Sequence, residues 1–260
     1  MHIMSQETRH KKIILLIKEK GYLTIDELSA HFNVTPQTIR RDINALANED
    51  KIRRHHGGAS IDSSTTNVSY STRQILQLSA KEAIAKSIAD EIPNHASLFI
   101  NIGTTTETVA KALLNHTGLQ VITNNLNVAS ILRDKDDFTV IIAGGTVRSR
   151  DGGVIGEATL DFINQFRVDY GIIGISGVDP IDGSLLDYDY QEVRVAQSII
   201  NNSRTVFLAA DNAKFGRNAV VRLGSITQVD RLFTDKKPPE PIKKLLKENE
   251  VTLTLCLPLH

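Results

Sequence analysis

Apolar residues in the first fifty positions recur at helical spacing. Ile13, Ile14, Leu16 and Ile17 share one side of a helix predicted over residues 9–20, with Gly21 placed to end it. Thr24 and Glu27 make a capping box ahead of Leu28 and Phe32, and Asn33 with Val34 breaks that second helix. Thr35 as N-cap and Pro36 at the first helical position open a third, with Ile39, Ile43 and Leu46 as its apolar set. Three short helices with a tight turn before the last predict a helix-turn-helix, whose final helix enters the major groove of duplex DNA.

The pattern changes near residue 57. The stretch from Gly57 to Ser71 is rich in Gly, Ser and Thr and has no hydrophobic period, which predicts a linker. The expected organisation is a DNA-binding domain over 1–57, a linker over 58–78 and a second domain over 79–260. Ser79 and Glu82 form another possible capping box, for a helix ending near Ile92. Short apolar runs then predict strands over 97–102, 119–123, 139–143, 171–175, 205–209, 231–234 and 251–255, with helices near 105–115, 125–132, 190–202 and 239–249. Strands separated by helical segments predict a mostly parallel sheet covered on both faces.

On a helical wheel, with about 100° per residue, Gln37, Arg41, Asn44 and Asn48 fall opposite the apolar set, flanked by Thr38 and Arg40. Arginine and the carboxamides pair with guanine and adenine edges, so Gln37 and Arg41 are the preferred base readers, while Thr35, Thr38 and Arg40 suit phosphates. Lys51, Arg53, Arg54, His55 and His56, ending in Gly57-Gly58, predict a basic wing against the DNA backbone. Asp42 is expected to orient the neighbouring arginines or cap an adjacent element rather than touch DNA.

Charge and cysteine content refine this picture. The 260-residue chain balances 30 Lys+Arg against 30 Asp+Glu, but its first sixty residues hold ten basic and seven acidic side chains, an excess consistent with a DNA-facing end. The one cysteine, Cys256, excludes an internal disulfide framework or a cysteine-rich zinc site. It suits a reducing compartment. The polar start predicts no signal peptide, and the charge-free stretch 112–132 is too rich in Asn, Gln, His and Thr for a bilayer span. A cytoplasmic protein is expected.

Several polar segments follow predicted strands, where open α/β sheets hold their ligands. Gly103, Thr104, Thr105 and Thr106 run from a strand into a helix and suit a phosphate ester through backbone N–H groups, hydroxyls and the positive helix end. Thr104 and Glu107 also fit a purely local capping box. Asn124 and Gly145, at two further strand ends, fit sugar or polyol hydroxyls. Asp179, Glu192 and the Lys214 loop (Asp211 to Gly216) add charge, whereas Arg148, Arg150 and Asp151 offer a phosphate clamp but read first as a surface ion pair.

The run Thr38-Ile39-Arg40-Arg41-Asp42-Ile43, spaced from Arg9, Ile13, Ile17 and Thr35 as here, resembles the signature of the DeoR family of bacterial transcriptional repressors. The resemblance continues through I-G-T-T, T-N-N, A-G-G and D-x-x-K-F-G, so that it spans nearly the whole chain. It implies an α/β architecture in which an N-terminal winged helix-turn-helix precedes a C-terminal effector domain similar to sugar-phosphate isomerases. It assigns the phosphate loop to Gly103–Thr106, polar contacts to Asn124 and Gly145, and a pocket lysine to Lys214. Segments such as 54–59, 124–129, 148–153, 156–162 and 214–219 are similar to members that regulate glycerol 3-phosphate metabolism, which implies glycerol 3-phosphate as inducer. Where family members pair Lys with Arg after the glutamate matching Glu192, this chain has Ala196-Gln197, which puts a basic contribution there in doubt.

The expected function is repression of glycerol 3-phosphate metabolism genes by a homodimer or homotetramer on operator DNA, released by the phosphorylated effector. Catalysis, cofactors, metals and membranes are not expected. The competing reading is a sugar-phosphate isomerase or deaminase with an accessory domain, which needs a base such as Asp179, Glu192 or Lys214 beside a substrate C–H bond. A repressor of another sugar-phosphate operon is the third.

Overall fold

Residues 5–20, 22–55, 57–61 and 67–257 are described by the computed structural model. Gly21, His56 and part of the expected linker, 62–66, lie outside the described residues. The chain divides into two compact units, Met1–Leu76 and Gln77–His260.

In the first unit the order is α1 (Gln6–Lys20), β1 (Tyr22–Thr24), α2 (Ile25–Phe32), α3 (Pro36–Asn48), β2 (Arg53–His55), β3 (Gly58–Ser60) and α4 (Tyr70–Ile75). Both expected N-caps form. Thr24 and Glu27 satisfy each other's backbone N–H groups across a capping box, and Thr35 Oγ1 accepts from Thr38 N at 3.2 Å. Asn33, in the left-handed conformation at φ 50°, ends α2 and makes the tight turn. Ile13 and Ile17 of α1, Leu28 of α2, and Ile39, Ile43 and Leu46 of α3 are buried together with Leu23, Ile52 and Ala59. Each such aliphatic side chain contributes about 2 kcal/mol on burial.

Asp42 departs from expectation. It turns into this core, 1% exposed, and its carboxylate accepts from Arg9 Nε at 2.5 Å and Arg9 Nη2 at 3.1 Å, with His10 Nε2 at 3.0 Å. It therefore binds α3 to α1 rather than orienting Arg40 and Arg41. The wheel explains why, since Asp42 lies near the apolar arc, where Arg9 and His10 of α1 meet it.

Linker composition was misleading at Gly58–Ser60. These residues form the central strand of a three-stranded antiparallel sheet, with Leu23 and Arg54 both opposite buried Ala59. Gly58 permits the close approach, because a Cβ there would stand 2.4 Å from the Leu23 carbonyl oxygen. A three-residue strand is too short to show alternation in sequence. Within the same expected linker, Ser69 caps α4 by accepting from Thr72 N.

The second unit is built on one seven-stranded parallel sheet. Its elements are α5 (Leu78–Glu91), β4 (Ser97–Ile100), α6 (Thr104–Ala112), β5 (Gln120–Thr123), α7 (Leu126–Leu132), β6 (Thr139–Ile142), β7 (Thr146–Arg148), β8 (Gly153–Ile155), α8 (Glu157–Ile163), β9 (Val168–Gly174), β10 (Gly177–Val178), β11 (Ser184–Asp187), α9 (Tyr190–Asn201), β12 (Ser203–Ala209), β13 (Val221–Ser225), β14 (Arg231–Thr234), α10 (Glu240–Glu248) and β15 (Thr252–Leu255). The sheet order is β15-β14-β12-β9-β4-β5-β6. Its seven strands fall on the seven apolar runs read from sequence.

Successive strand residues enter different cores. Phe99, Ile173 and Leu208 pack with Ile163, Val195 and Ile242, whereas Leu98, Ile100, Ile172 and Phe207 pack with Ile84, Val109 and Val128. Burial on both faces is why the strands read as continuous apolar runs. Helix α5 starts one residue before the expected cap, with Gln77 at φ 55° and no side-chain cap bond, so the Ser79–Glu82 box does not form. The β7–β8 hairpin, α8 and a small antiparallel sheet of order β10-β11-β13 were not legible, being short and dense in turn residues.

Asp42→Ala should destabilise the first unit by about 3–5 kcal/mol, because it leaves the buried Arg9 guanidinium unpaired. Urea unfolding monitored by amide signals of each unit should show an earlier transition for 1–76 and an unchanged one for the sheet.

Candidate functional site

Helix α3 has one circumference to divide. Ile39, Asp42, Ile43 and Leu46 take the buried arc, so Gln37, Arg40, Arg41, Asn44 and Asn48 are all exposed on the other. Thr35 and Thr38 meet at the helix start, their hydroxyls 3.0 Å apart, with Thr35 engaged as the cap. This end of the helix, with Pro36 at its first turn, presents a positive dipole to an approaching phosphate.

The wing stands beside that helix. Arg54 is exposed and donates from Nη1 to Asn44 Oδ1 at 2.9 Å. A cleft of about 310 Å³ between helix and wing is lined by Gln37, Arg40, Ile43, Asn44, Arg54, His55, Gly57, Gly58 and Ile25. Strand alternation turns the half-buried Arg53 and His55 to the other side from Arg54. His55 is 2.7 Å from Ser60 Oγ across the hairpin and lies edge-on to Tyr22, so it braces the wing while also lining the cleft. Lys51 is exposed and paired with Glu49 at 2.6 Å. His56 lies outside the described residues.

In the second unit the chain steps from β4 outward through β5 and β6, then returns to the far side of β4 with β9 and continues through β12, β14 and β15. The strand order reverses between β4 and β9. A crevice at the carboxyl ends of those two strands is where open α/β sheets bind ligands. Gly103, at φ 148°, starts α6 there without a side-chain cap, and Thr104, Thr105 and Thr106 are buried. Thr106 Oγ1 donates to the Asn101 and Gly103 carbonyls, shaping the loop. The Thr104–Glu107 capping box does not form, because Glu107 accepts from Asn125 and Asn127 of the next helix, at 3.2 and 3.0 Å.

Other expected contacts share this edge. Asn124, fully buried after β5, donates to the Val154 carbonyl at 3.1 Å, while its Oδ1 has no hydrogen-bond partner among the described residues. Asn101 Oδ1 after β4, Asn212 Oδ1 after β12 and Thr234 Oγ1 at the end of β14 are buried and unpartnered as well. Four such atoms at one edge of one sheet mark it as a polar surface short of partners. The Lys214 loop follows β12 and is tied to β10 by Gly216 N donating to the Val178 carbonyl at 2.9 Å, which keeps it next to the β9 loop. Gly145 lies farther out, after β6. A Cβ on it would stand 2.1 Å from Thr159 Oγ1, so close packing on α8 already requires a glycine there.

Arg148 is the residue most underrated by sequence. Its side chain is 10% exposed and makes a bidentate pair with Asp151 at 2.8 and 2.9 Å, with Asp189 at 3.0 Å and Glu192 at 2.7 Å from Nη1. Arg150 adds a bond to Asp189 at 3.1 Å. This is a buried hub joining the β7–β8 hairpin to the start of α9, not a surface pair. Asn127 extends it toward α6 by donating to both Glu107 and the Asp151 carbonyl. Glu192, expected to meet effector, is thus engaged inside the protein. Burial, together with the Asp187 carboxylate, pushes its pKa up to about 8 against the pull of Arg148. Asp189 is held below the usual carboxylate range: burial opposes this, but the Glu192 backbone N–H and Arg148 prevail.

The two remaining expectations resolve simply. Asp179 accepts from the N–H groups of Ile181 and Asp182 and so builds a turn. Ala196 is 1% exposed in the core, where a lysine would be costly, and Gln197 lies partly exposed on the outer side of α9. No group of metal-ligating side chains and no helix long and apolar enough to cross a membrane occurs among the described residues.

Residues 9–65 match the DeoR-like helix-turn-helix domain, and residues 76–236 the DeoR C-terminal sensor domain. The chain is 55% identical over 253 residues to the glycerol-3-phosphate regulon repressor of Escherichia coli (strain K12), covering 97% of this chain and 100% of that protein. It is 54% identical over 253 residues to the protein of the same name from Haemophilus influenzae, covering 97% and 98%. Ribose 5-phosphate isomerase A from Neisseria gonorrhoeae aligns over 52% of each chain at a TM-score of 0.38 and 14% identity, too loosely to bear on chemistry.

Glu192→Gln tests the hub through its titration. A carboxyl whose pKa is raised from 4.5 to about 8 by folding contributes stability that is complete below the lower value and lost as pH rises through the higher. Between about pH 5 and pH 9 the parent protein should lose stability relative to the glutamine variant, as thermal midpoints at the two pH values would show.

Proposed function

The chain belongs to the DeoR family of helix-turn-helix transcriptional repressors, and from that premise we propose that it represses genes of glycerol 3-phosphate metabolism and leaves its operator when glycerol 3-phosphate binds. The observation that carries the DNA-binding part is the division of α3, whose buried arc forces Gln37, Arg40, Arg41 and Asn44 outward beside Arg54 of the wing. Glycerol 3-phosphate is carried over from the named relatives. The carboxyl edge supports a ligand of that class: loop Gly103–Thr106 and the α6 start for the phosphate, Asn124 and Lys214 for the remaining polar groups.

In this reading the protein is a cytoplasmic homodimer or homotetramer with no catalytic role, because one small recognition module gains affinity and specificity by pairing half-sites about one helical turn apart. Effector lowers operator affinity only by as much as it prefers the released state, and operator weakens effector binding in return. Enzymatic turnover of ribose 5-phosphate or glucosamine 6-phosphate would contradict this function. The decisive experiment is an electrophoretic mobility shift on a glycerol-operon promoter, titrated with glycerol 3-phosphate and other phosphorylated metabolites.

Arg41→Ala should weaken operator binding by about 1–3 kcal/mol and blur its sequence preference, read by quantitative footprinting. Lys214→Ala should leave operator affinity intact and raise the glycerol 3-phosphate concentration needed for release. Unaltered release would place Lys214 outside the pocket.

A further inference from the structure

The hydrogen bond from Arg54 to Asn44 carries more than adjacency. A guanidinium only donates, so the oxygen of the Asn44 amide must face the wing. The amide NH₂ is therefore turned away from Arg54, on the exposed arc shared with Gln37 and Arg41. Arg54 is well placed to hold this arrangement. It sits on β2 opposite Ala59 of β3, the strand that pairs on its other side with β1, and the hairpin is braced by the His55–Ser60 and His55–Tyr22 contacts.

Base edges respond differently to such an amide. Adenine is read by asparagine through two bonds, one of which requires the amide oxygen to accept from N6. Arg54 takes one of that oxygen's two lone pairs and so weakens it as an acceptor for adenine N6, while both amide N–H donors stay available; guanine offers them N7 and O6, thymine O4, and adenine N7 alone. We propose that Arg54 is a positioning residue for sequence specificity: by donating to Asn44 it biases the recognition-helix amide toward donation and favours guanine or thymine over adenine at the base pair that Asn44 meets. This rests on the DNA-binding reading of α3 and gives the wing arginine a role beyond phosphate attraction.

The test is operator binding by the full-length protein across a panel of single base-pair substitutions at several salt concentrations. Asn44→Ala should lose discrimination of roughly ten-fold at one base pair. Arg54→Ala should alter preference at that same base pair, with adenine now accepted there. The double variant should show the same base preference as Asn44→Ala alone, and Arg54→Lys, which retains a donor, should keep the parent profile. Thermal unfolding of each variant should match the parent, since both side chains are exposed. If Arg54→Ala instead weakens every sequence equally and lowers the salt dependence, or if the two single variants act at different base pairs, the proposal is overturned. Failure of the parent protein to bind any promoter fragment would sink the proposed function itself, an outcome distinct from normal binding with an unchanged base profile.

Discussion

Burial on both faces of the central parallel sheet is the constraint from which the second unit follows. Once Leu98, Phe99, Ile100, Ile172, Ile173 and Phe207 are packed against helices on either side, only the strand ends remain for polar chemistry. The connections emerging at the carboxyl ends bring turn residues and polar side chains to one rim, among them Asn101, Asn124, Asn212 and Thr234. The strand order reverses between β4 and β9, the position at which open sheets of this kind hold their ligands, beside the loop leading into α6.

The first unit obeys the same logic on a smaller scale. Its core is formed by few side chains, so a buried ion pair between Arg9 and Asp42 assists in orienting α1 against α3. A buried pair of this kind is weak evidence for net stability, yet removal of either partner leaves a charge stranded, which makes the packing specific. With α3 fixed in rotation, its remaining arc is exposed as a recognition surface. The three-stranded sheet places the wing beside it.

Polar networks rim the ligand edge. Arg148 draws Asp151, Asp189 and Glu192 together, and Asn127 links this cluster to Glu107 in the first turn of α6. The hairpin and the start of α9 are thereby tied to the start of α6. A change there would reach α9 through named hydrogen bonds, the kind of contiguous contact that coupling between a ligand and a distant surface can use.

Long signals were legible in the sequence. The apolar runs of the seven central strands, the caps at Thr24 and Thr35 and the exposed arc of α3 each rest on local periodicity or local hydrogen bonding, which a chain carries whatever it later packs against. The step from strand to helix at Gly103 was legible because a glycine at such a junction is a local requirement too. Tertiary structure decided the partners. Asp42 reaches Arg9 thirty-three positions away, and Arg148, whose pairing with nearby Asp151 was legible, also reaches Asp189 forty-one positions away, so neither the burial of these charges nor their distant mates are written in neighbouring residues. Gly58–Ser60 reads as linker until Leu23 pairs across from it, and His55 reads as a DNA-facing cation until the hairpin turns it onto Tyr22. Periodicity specifies which face of an element is apolar; what that face meets depends on the closure of the whole chain.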